Sequence, residues 1–274
     1  GLIEYRQLYL GSVAIGEKIF FIGQDFKENN DNGNGKIITY DTRSNQFQEL
    51  TLPSQIDLDG GVTGVIDGKI YWAGGYCGFG HSLNLSSMDP FNASQGWTPL
   101  ADMSYEREYA TSCVLNGKLY VIGGYFNLHT HELYKDGECY DPATNKWSRI
   151  PSMKGTRIYS GSACLKGEIY VAGGREIDYE RHGALATMER FSPETNKWTT
   201  LKSMKYARIF PTLVATCGML YVFGGTDEGN KICAVERYDP LTNTWEEMAP
   251  MSLRGGTIIG PFDNHLDRNT IFCP

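Results

Sequence analysis

A unit of about 50 residues recurs along this chain, and that repeat limits its possible folds more than any other feature. In each unit a Gly-Gly pair ends an apolar run, in steps of 51, 49, 50 and 51 residues. The first glycines of the pairs are Gly23 (followed by Gln24 instead of a second glycine), Gly74, Gly123, Gly173 and Gly224. An aromatic residue repeats at a similar spacing, at Phe47, Trp97, Trp147, Trp198 and Trp245. Short strand-like units with this period are typical of a β-propeller, in which each unit forms one blade.

The pattern inside a unit predicts four antiparallel strands. Between the first and second strands lies a dipeptide that tolerates positive φ, such as Asn116-Gly117, Asp67-Gly68 or Lys166-Gly167, which predicts a two-residue hairpin turn. The Gly-Gly pair permits a close approach of backbones near the propeller axis. The third strand ends at Tyr-Asp-Pro, and the fourth begins near the repeated tryptophan, which we expect to pack between neighbouring blades.

Several fixed positions recur together, and they identify a family. The units YVIGG…CYDPATNKW, YVAGG…RFSPETNKW and YVFGG…RYDPLTNTW resemble the kelch repeat. The chain is most similar to the kelch domain of BTB–BACK–kelch substrate adaptors of ubiquitin ligases. This resemblance implies an all-β propeller of four-stranded antiparallel blades.

The repeat also predicts the domain organisation. We expect one kelch domain over residues 1–274, with repeats at about 6–53, 54–103, 104–153, 154–204 and 205–251 and a partial sixth at 252–274. The run Arg254-GGTIIGPF looks like the first strand of a further unit. A six-bladed ring, or one with an abbreviated last blade, is therefore favoured over a five-bladed ring.

The resemblance implies a partner-binding site built from two sets of residues. Arg107, Arg157 and Arg208 each lie sixteen residues before the first glycine of their pair, and Arg6 and Arg254 hold similar places. In the related domains this position and the residue after Gly-Gly line a pocket for a partner peptide. The second set in this chain is Tyr76, Tyr125, Arg175 and Thr226. Guanidinium and phenol groups suit carboxylates, so we predict a protein or peptide ligand with an acidic turn.

An alternative remains open for the arginines. Each one could pair with a neighbouring blade or lie solvated at the rim, and Glu106 and Glu108 flank Arg107 closely enough to neutralise it. The loops after Gly-Gly differ most among the repeats, and variation at one repeat position maps to one face, usually the binding face.

Charge and cysteine content narrow the classes of partner and compartment. The net charge is −7 and there is no run rich in Lys or Arg, which argues against nucleic acid or an anionic membrane as the main partner. Seven cysteines form an odd set without a CxxC pair, so neither a disulfide framework nor a zinc site is indicated. We expect reduced thiols and a cytoplasmic protein; the reactivity of Cys77 stays open.

Signals for catalysis are weak. His129 and His131 with Glu132 have a spacing that suits a metal, but they lie in a variable loop without a third protein ligand. There is no GxxxxGK[ST] or GxSxG motif. We therefore predict no metal, no cofactor and no enzymatic activity.

The resemblance implies a substrate receptor of a cullin-RING ubiquitin ligase, with the cullin bound through a BTB domain upstream of Gly1. Two other functions remain open: an actin-binding cytoskeletal kelch protein and a secreted kelch-fold oxidase. An upstream BTB domain would favour the first function, filament co-sedimentation the second, and bound copper with a signal peptide the third.

Overall fold

The described part of the chain contains five four-stranded antiparallel sheets, and each is one blade of a β-propeller. The computed structural model describes residues 7–25, 34–50, 60–75, 84–127, 132–177, 182–227 and 229–252. Within every blade the four strands lie side by side in the order in which they occur along the chain. The prediction of an all-β propeller with four-stranded antiparallel blades is therefore confirmed.

The first two blades occupy the N-terminal part of the chain. Blade 1 contains β1 (Gln7–Ile15), β2 (Lys18–Asp25), β3 (Asn34–Asp41) and β4 (Gln46–Leu50). Blade 2 contains β5 (Val62–Ile66), β6 (Lys69–Ala73), β7 (Leu85–Met88) and β8 (Thr98–Pro99). A 3-10 helix, Pro90–Gln95, lies between β7 and β8.

The next three blades each carry an extra two-stranded hairpin between their second and third strands. Blade 3 contains β9 (Thr111–Leu115), β10 (Lys118–Ile122), the hairpin β11 (Tyr125–Asn127) and β12 (Glu132–Leu133), then β13 (Gly137–Asp141) and β14 (Lys146–Ile150). Blade 4 contains β15 (Gly161–Leu165), β16 (Glu168–Ala172), the hairpin β17 (Arg175–Ile177) and β18 (His182–Ala184), then β19 (Met188–Ser192) and β20 (Lys197–Thr200). Blade 5 contains β21 (Thr212–Thr216), β22 (Met219–Phe223), the hairpin β23 (Thr226–Asp227) and β24 (Asn230–Lys231), then β25 (Val235–Asp239) and β26 (Thr244–Met248).

The turns between first and second strands have the backbone that the sequence predicts. Asn116 and Gly117 have φ of 52° and 70°, and Lys166 and Gly167 have φ of 52° and 78°. Glycine enters this left-handed region freely and asparagine does so more easily than most residues. The predicted two-residue hairpins are confirmed at both places.

The Tyr-Asp-Pro-x-Thr-Asn motif builds the turn between third and fourth strands. In blade 3 the Ala143 amide donates to Asp141 Oδ1 at 3.0 Å, and Asn145 takes a φ of 51°. The Tyr140 hydroxyl donates to Asn145 Oδ1 at 2.8 Å. The Ala101 amide donates to the same oxygen at 3.0 Å. The motif therefore shapes the turn and also ties it to the segment that leads into the blade.

Apolar clusters fill the space between neighbouring blades. Ala73 and Leu85 of blade 2 pack with Leu119, Val121 and Trp147 of blade 3, and similar clusters lie between blades 1 and 2, 3 and 4, and 4 and 5. A fully buried Val or Leu side chain stabilises a fold by about 1.5–3 kcal/mol. The core of this propeller is therefore a series of inter-blade layers.

The repeated tryptophans add one hydrogen bond to these layers in each of three blades. Every one of these indole Nε1 groups donates to a backbone carbonyl in the segment that precedes its own blade, at 2.8 Å. The bonds join Trp147 to Ala101, Trp198 to Pro151 and Trp245 to Lys202. The expected packing of tryptophan between blades is confirmed.

Five cysteines lie among the described residues, and these five are free thiols. Cys113 in β9 and Cys164 in β15 occupy equivalent positions and pack at the interface between blades 3 and 4. A hydrogen bond between the two thiols raises the pKa of Cys113 and lowers the pKa of Cys164. Cys77 and Cys273 lie outside the described residues.

The predicted number of blades is not confirmed. The described residues form five blades, which favours five over six, and residues 253–274 lie outside the described part of the chain. The first strands contact one another in the order β1, β5, β9, β15 and β21. They surround a pocket at the propeller axis, to which Ser12 of β1 and Thr212 of β21 both contribute.

Candidate partner-binding face

Three of the arginines that the sequence singles out lie inside their blades. Arg107, Arg157 and Arg208 are 1%, 3% and 0% exposed. Each guanidinium meets a glutamate from the third strand of its own blade, and these glutamates are buried as well. The ion pairs are Arg107–Glu138 (3.4 Å), Arg157–Glu189 (2.9 Å) and Arg208–Glu236 (3.0 Å).

Backbone groups make further hydrogen bonds to each ion pair. Arg157 Nη1 donates to the carbonyl oxygens of Gly173 and Thr187, both at 3.1 Å. The Lys154 amide donates to Glu189 Oε2 at 2.8 Å. A buried ion pair needs additional hydrogen bonds of this kind to offset the loss of hydration. These arginines therefore brace their own blades, which differs from the alternative of pairing with a neighbouring blade or lying solvated at the rim. Their burial argues against direct contact with a partner.

The carbonyl of each buried arginine joins its blade to the preceding one. The Gly124 amide donates to Arg157 O at 2.9 Å, and the Gly75 amide donates to Arg107 O at 3.0 Å. Gly123 has a φ of 70°, and a Cβ on it would lie 2.4 Å from Arg157 O. Only glycine fits there. The glycine pairs are therefore required by the contact between blades.

The residues after the glycine pairs begin the three extra hairpins. Each pairs with the residue that follows a buried arginine, through isolated bridges between Glu108 and Tyr125, Ile158 and Arg175, and Ile209 and Thr226. The hairpins come from the loops that differ most among the repeats. Since β11, β17 and β23 all follow second strands, the hairpins stand at one edge of the propeller. We call this edge the hairpin face; its described residues are 125–127, 132–133, 175–177, 182–184, 226–227 and 229–231.

The predicted contact residues differ in their exposure. Tyr125 is 2% exposed, whereas Arg175 and Thr226 are partly exposed. Burial, followed by the charge of Glu108 and a hydrogen bond to it, raises the pKa of Tyr125 far above its ordinary value. Arg6, Tyr76 and Arg254 lie outside the described residues. The structure thus brings Tyr125, Arg175 and Thr226 to the hairpin face, and their contact with a partner stays a prediction.

An aromatic row at the axis was missed by the sequence analysis. Tyr109, Tyr159 and Phe210 each lie two residues after a buried arginine, just before the first strand of a blade. The ring centroids of Tyr109 and Tyr159 are 4.7 Å apart, and those of Tyr159 and Phe210 are 4.3 Å apart. The Tyr125 ring lies 5.6 Å from the Tyr109 ring. The recurrence of an aromatic at this position was a signal that could have revealed the row.

The backbone of this aromatic row is strained and bonded from blade to blade. Tyr109, Tyr159 and Phe210 have φ of 48°, 57° and 57°. The Tyr159 amide donates to Tyr109 O at 3.1 Å, and the Phe210 amide donates to Tyr159 O at 2.9 Å. Bulky residues in the left-handed region are uncommon and cluster at functional sites. The row therefore marks the axis as a candidate site.

The aromatic row borders a central pocket of about 340 Å³. None of the described residues that line it is Asp, Glu, Lys, Arg or His. Hydroxyl groups line much of its wall, from Thr63, Thr111, Ser112, Ser160, Ser162 and Thr212. The pocket lies at the ends of the first strands nearest the hairpin face, because Tyr109 lines it and contacts Tyr125 at the start of β11.

A chain of hydrogen bonds runs through these hydroxyl groups. Thr111 Oγ1 donates to Ser162 Oγ at 2.7 Å, and Ser162 Oγ donates to Ser112 O at 2.8 Å. Ser112 Oγ donates to Thr63 O at 2.8 Å. These bonds cross blades 2, 3 and 4 and fix the directions of three hydroxyl protons.

Neither a metal-binding cluster nor a membrane-spanning helix occurs among the described residues. Within them, no group of three or more His, Cys, Asp or Glu side chains is placed to hold a metal ion. His129 and His131 lie outside the described residues. Across the part of the chain that the structure describes, no helix has the length and apolar character needed to span a membrane.

Comparisons with known proteins point to one family. The model of the Kelch motif matches residues 106–154, 156–205 and 207–252. Human Kelch-like protein 23 is 26% identical over 246 residues, which cover 89% of this chain and 42% of that protein. Mouse Kelch-like protein 35 is 36% identical over 171 residues, which cover 62% of this chain and 20% of that protein. The chain therefore spans about two fifths of the length of Kelch-like protein 23.

A solved structure gives independent support for the fold. The protein YjhT superposes with a TM-score of 0.74 at 14% identity, covering 87% of this chain and 83% of that one. At this identity the likeness shows the fold alone. The Kelch motif, in contrast, matches more than half of the chain in three consecutive units. This chain therefore belongs to the Kelch-repeat family, as a β-propeller resembling the kelch domain of Kelch-like proteins.

Proposed function

We propose that this chain captures a partner protein on the hairpin face, and that its full-length form is a cytoplasmic substrate receptor of a cullin-RING ubiquitin ligase. The observation that carries the proposal is the meeting of three dissimilar hairpins with an aromatic-lined pocket at one edge of the propeller. Concave sites with convergent polar groups are the usual binding sites of proteins. The role proposed for the site is binding rather than catalysis.

The Kelch-like relatives support the choice of a protein partner. Because the chain covers about two fifths of Kelch-like protein 23, the proposed BTB domain and cullin contact belong to the remainder of a full-length protein. We propose that the BTB domain recruits the cullin while the propeller selects the substrate. The matches to Kelch-like proteins support an interaction module, and recovery of a cullin with the full-length protein tests the ligase role.

The acidic-turn ligand stays a prediction with reduced support. It depended on a set of arginines around the axis, and among the described members only Arg175 is partly exposed. Arg107, Arg157 and Arg208 are paired with buried glutamates. We therefore propose a partner that meets the hairpin face without a required acidic turn.

Affinity purification of the full-length protein tests both parts of the proposal. The double variant Arg175→Glu/Thr226→Glu places charge on the hairpin face. The variant Lys197→Glu/Thr199→Glu makes a matched change at two exposed positions of the outer strand β20. We expect the first variant to lose most co-purified partners while it retains the cullin, and the second to retain both.

Two results would contradict the proposal separately. Equal partner recovery from the two variants would remove the hairpin face as the binding surface. Absence of a cullin from every sample, the unmodified protein included, would remove the ligase role and leave the interaction module.

Although the described residues form five blades, we propose that the propeller includes a further unit that begins near Arg254. Support comes from the side of β21 that faces away from blade 4, where Thr212, Val214 and Thr216 are exposed. Val214 is 40% exposed, and Tyr221 of β22 is more exposed than Tyr170, its counterpart in blade 4. An uncovered sheet face with apolar residues is unfavourable in water, so a covering strand would stabilise blade 5.

A further inference from the structure

The central pocket combines aromatic rings with hydroxyl groups, and none of the described residues on its wall carries a formal charge. Among the described residues that line it there is no Lys or Arg to attract a carboxylate. The buried arginines nearby do not supply that charge, since Arg107, Arg157 and Arg208 each pair with a glutamate. Arg175 of the hairpin face is not among the described residues that line the pocket. An anionic ligand would therefore lose its hydration in the pocket without gaining a cation.

The fixed hydroxyl groups present acceptors rather than donors. The protons of Thr111 and Ser162 point to Ser162 Oγ and Ser112 O, and the proton of Ser112 points to Thr63 O. A hydroxyl oxygen has two lone pairs, so Ser112 and Ser162 still have oxygen lone pairs to offer. The wall formed by these groups suits a ligand that donates hydrogen bonds.

The aromatic row also favours a ligand that is positively charged. The faces of aromatic rings carry negative charge density and attract cations that lie over them. Tyr109, Tyr159 and Phe210 all line the pocket and are partly exposed. The Glu108 carboxylate is hydrogen-bonded to Tyr125, whose ring packs against Tyr109 at 5.6 Å. The net charge of −7 also favours the approach of a cationic ligand.

We propose that the central pocket binds an arginine side chain of the partner protein. The proposal rests on the proposed function, because it names the chemistry of the residue that the partner places at the axis. The guanidinium is planar, stacks on aromatic rings and carries five N–H donors for the hydroxyl and carbonyl oxygens. Lysine has a compact, strongly hydrated charge, so arginine is favoured over lysine.

Capped tripeptides test this chemistry on the 274-residue chain without knowledge of the partner. The probes are acetyl-Gly-Xaa-Gly-amide peptides with Arg, Lys, Glu or Leu at the central position, and binding is measured by ligand-observed NMR titration. We expect the Arg peptide to bind at least ten-fold more tightly than the Glu and Leu peptides. We also expect its affinity to fall as the salt concentration rises, because screening weakens the attraction of charges.

Variants of Phe210 separate the aromatic contribution from folding. Phe210→Leu keeps an apolar side chain but removes the ring, and it should weaken the Arg peptide at least five-fold. Phe210→Tyr keeps the ring and should retain binding. Phe91→Leu is the matched control, because Phe91 is 62% exposed and lies on the 3-10 helix rather than at the pocket. Melting temperatures of all three variants establish that they fold.

Each outcome of the titrations bears on the proposal. Tightest binding of the Leu peptide would overturn it in favour of an apolar anchor, and tightest binding of the Glu peptide would overturn it in favour of an acidic ligand. Tightest binding of the Lys peptide would overturn the choice of arginine. The proposal would also be overturned if no peptide bound, or if Phe210→Leu bound the Arg peptide as well as the unmodified chain does. The proposed function would survive these results if Arg175→Glu/Thr226→Glu still abolished partner capture.

Discussion

Arg157 shows how a charged residue can hold a blade together from inside. Its guanidinium donates to Glu189 and to two carbonyl oxygens, and its own carbonyl accepts from Gly124 of the preceding blade. One residue thereby joins strands within blade 4 and joins blade 4 to blade 3. Because Arg107 and Arg208 repeat the ion pair and the bond to a glycine carbonyl, the propeller uses this device at least three times.

The first prediction concerns the loss of one partner from this ion pair. Arg157→Met should lower the free energy of unfolding by about 3–5 kcal/mol, because it leaves the Glu189 charge buried without its cation. Arg157→Met/Glu189→Met should recover much of that loss, since neither charge then remains. Urea unfolding provides the measurement, and Arg43→Met is the control, at a side chain that is 78% exposed. A single variant as stable as the control would contradict the bracing role.

The second prediction concerns alkaline pH and Tyr238. Burial raises the pKa of Tyr238 to about 12, while an unfolded tyrosine has a pKa near 10. Below pH 10 the Tyr238 hydroxyl keeps its proton in both the folded and the unfolded protein. Above pH 10 it ionises freely only in the unfolded protein, so the free energy of unfolding falls as pH rises toward 12. Tyr238→Phe should show a smaller fall in melting temperature between pH 7 and pH 11. An equal fall in both proteins would show that Tyr238 does not contribute.

Among the elements, the short segment before the first strand of blades 3, 4 and 5 has an unusual backbone. It contains the buried arginine and, two residues later, an aromatic with φ between 48° and 57°. The equivalent place before β5 is held by Gly60, with φ of 65°, whose carbonyl accepts from the Tyr109 amide at 2.8 Å. The positive φ therefore belongs to the segment, and the aromatic side chains are tolerated there.

The third prediction tests that backbone strain at Tyr159. Tyr159→Gly should be more stable than Tyr159→Ala by about 1 kcal/mol, because glycine adopts a positive φ without steric cost. In the strand β21 the order should reverse, with Val214→Ala more stable than Val214→Gly. Chemical unfolding of the four variants gives the comparison. Alanine more stable than glycine at both positions would contradict the strain.

The sequence was sufficient to predict the blades because local rules and the repeat agree there. Asn116-Gly117 specifies a hairpin, Tyr140 to Asn145 specify a turn, and Trp147 has one apolar interface to fill. The direction of the Arg107 side chain was not predictable in the same way, because it depends on a glutamate thirty-one residues later. The repeated Glu138, Glu189 and Glu236, each two residues before an aromatic, were the signal for that pairing.

The binding site was harder to predict from the sequence than the fold was. The loops that form the hairpins were correctly placed at one repeat position, but which side chains meet at the axis depends on the packing of several blades. Tyr109, Tyr159 and Phe210 come from three different units and touch only in the assembled propeller. Their recurrence gave no indication of their positive φ.

At the scale of the whole molecule, the last described blade is packed differently from the central blades. Blades 2, 3 and 4 each pack between two neighbours, whereas blade 5 packs on blade 4 and leaves Val214 40% exposed among the described residues. A sixth blade would cover Val214, whereas closure of the ring with five blades would leave it exposed.

The fourth prediction uses that difference. If a further unit covers β21, Val214→Asp should lower the free energy of unfolding by more than about 2 kcal/mol, because it buries a charge without a partner. Leu241→Asp is the matched control at a position that is 82% exposed, and its effect should stay within about 0.5 kcal/mol. Equal, small effects of the two variants would support closure with five blades.

The most direct test of the central claim is chemical crosslinking of the full-length protein to its captured partner, followed by mass spectrometry. Lys231 is exposed on the hairpin face and Lys135 is exposed beside it. Lys146 and Lys197 are exposed on the outer strands β14 and β20. We predict that crosslinks to the partner concentrate at Lys135 and Lys231. Crosslinks concentrated at Lys146 and Lys197 would place the partner on the outer strands and contradict the proposed binding face.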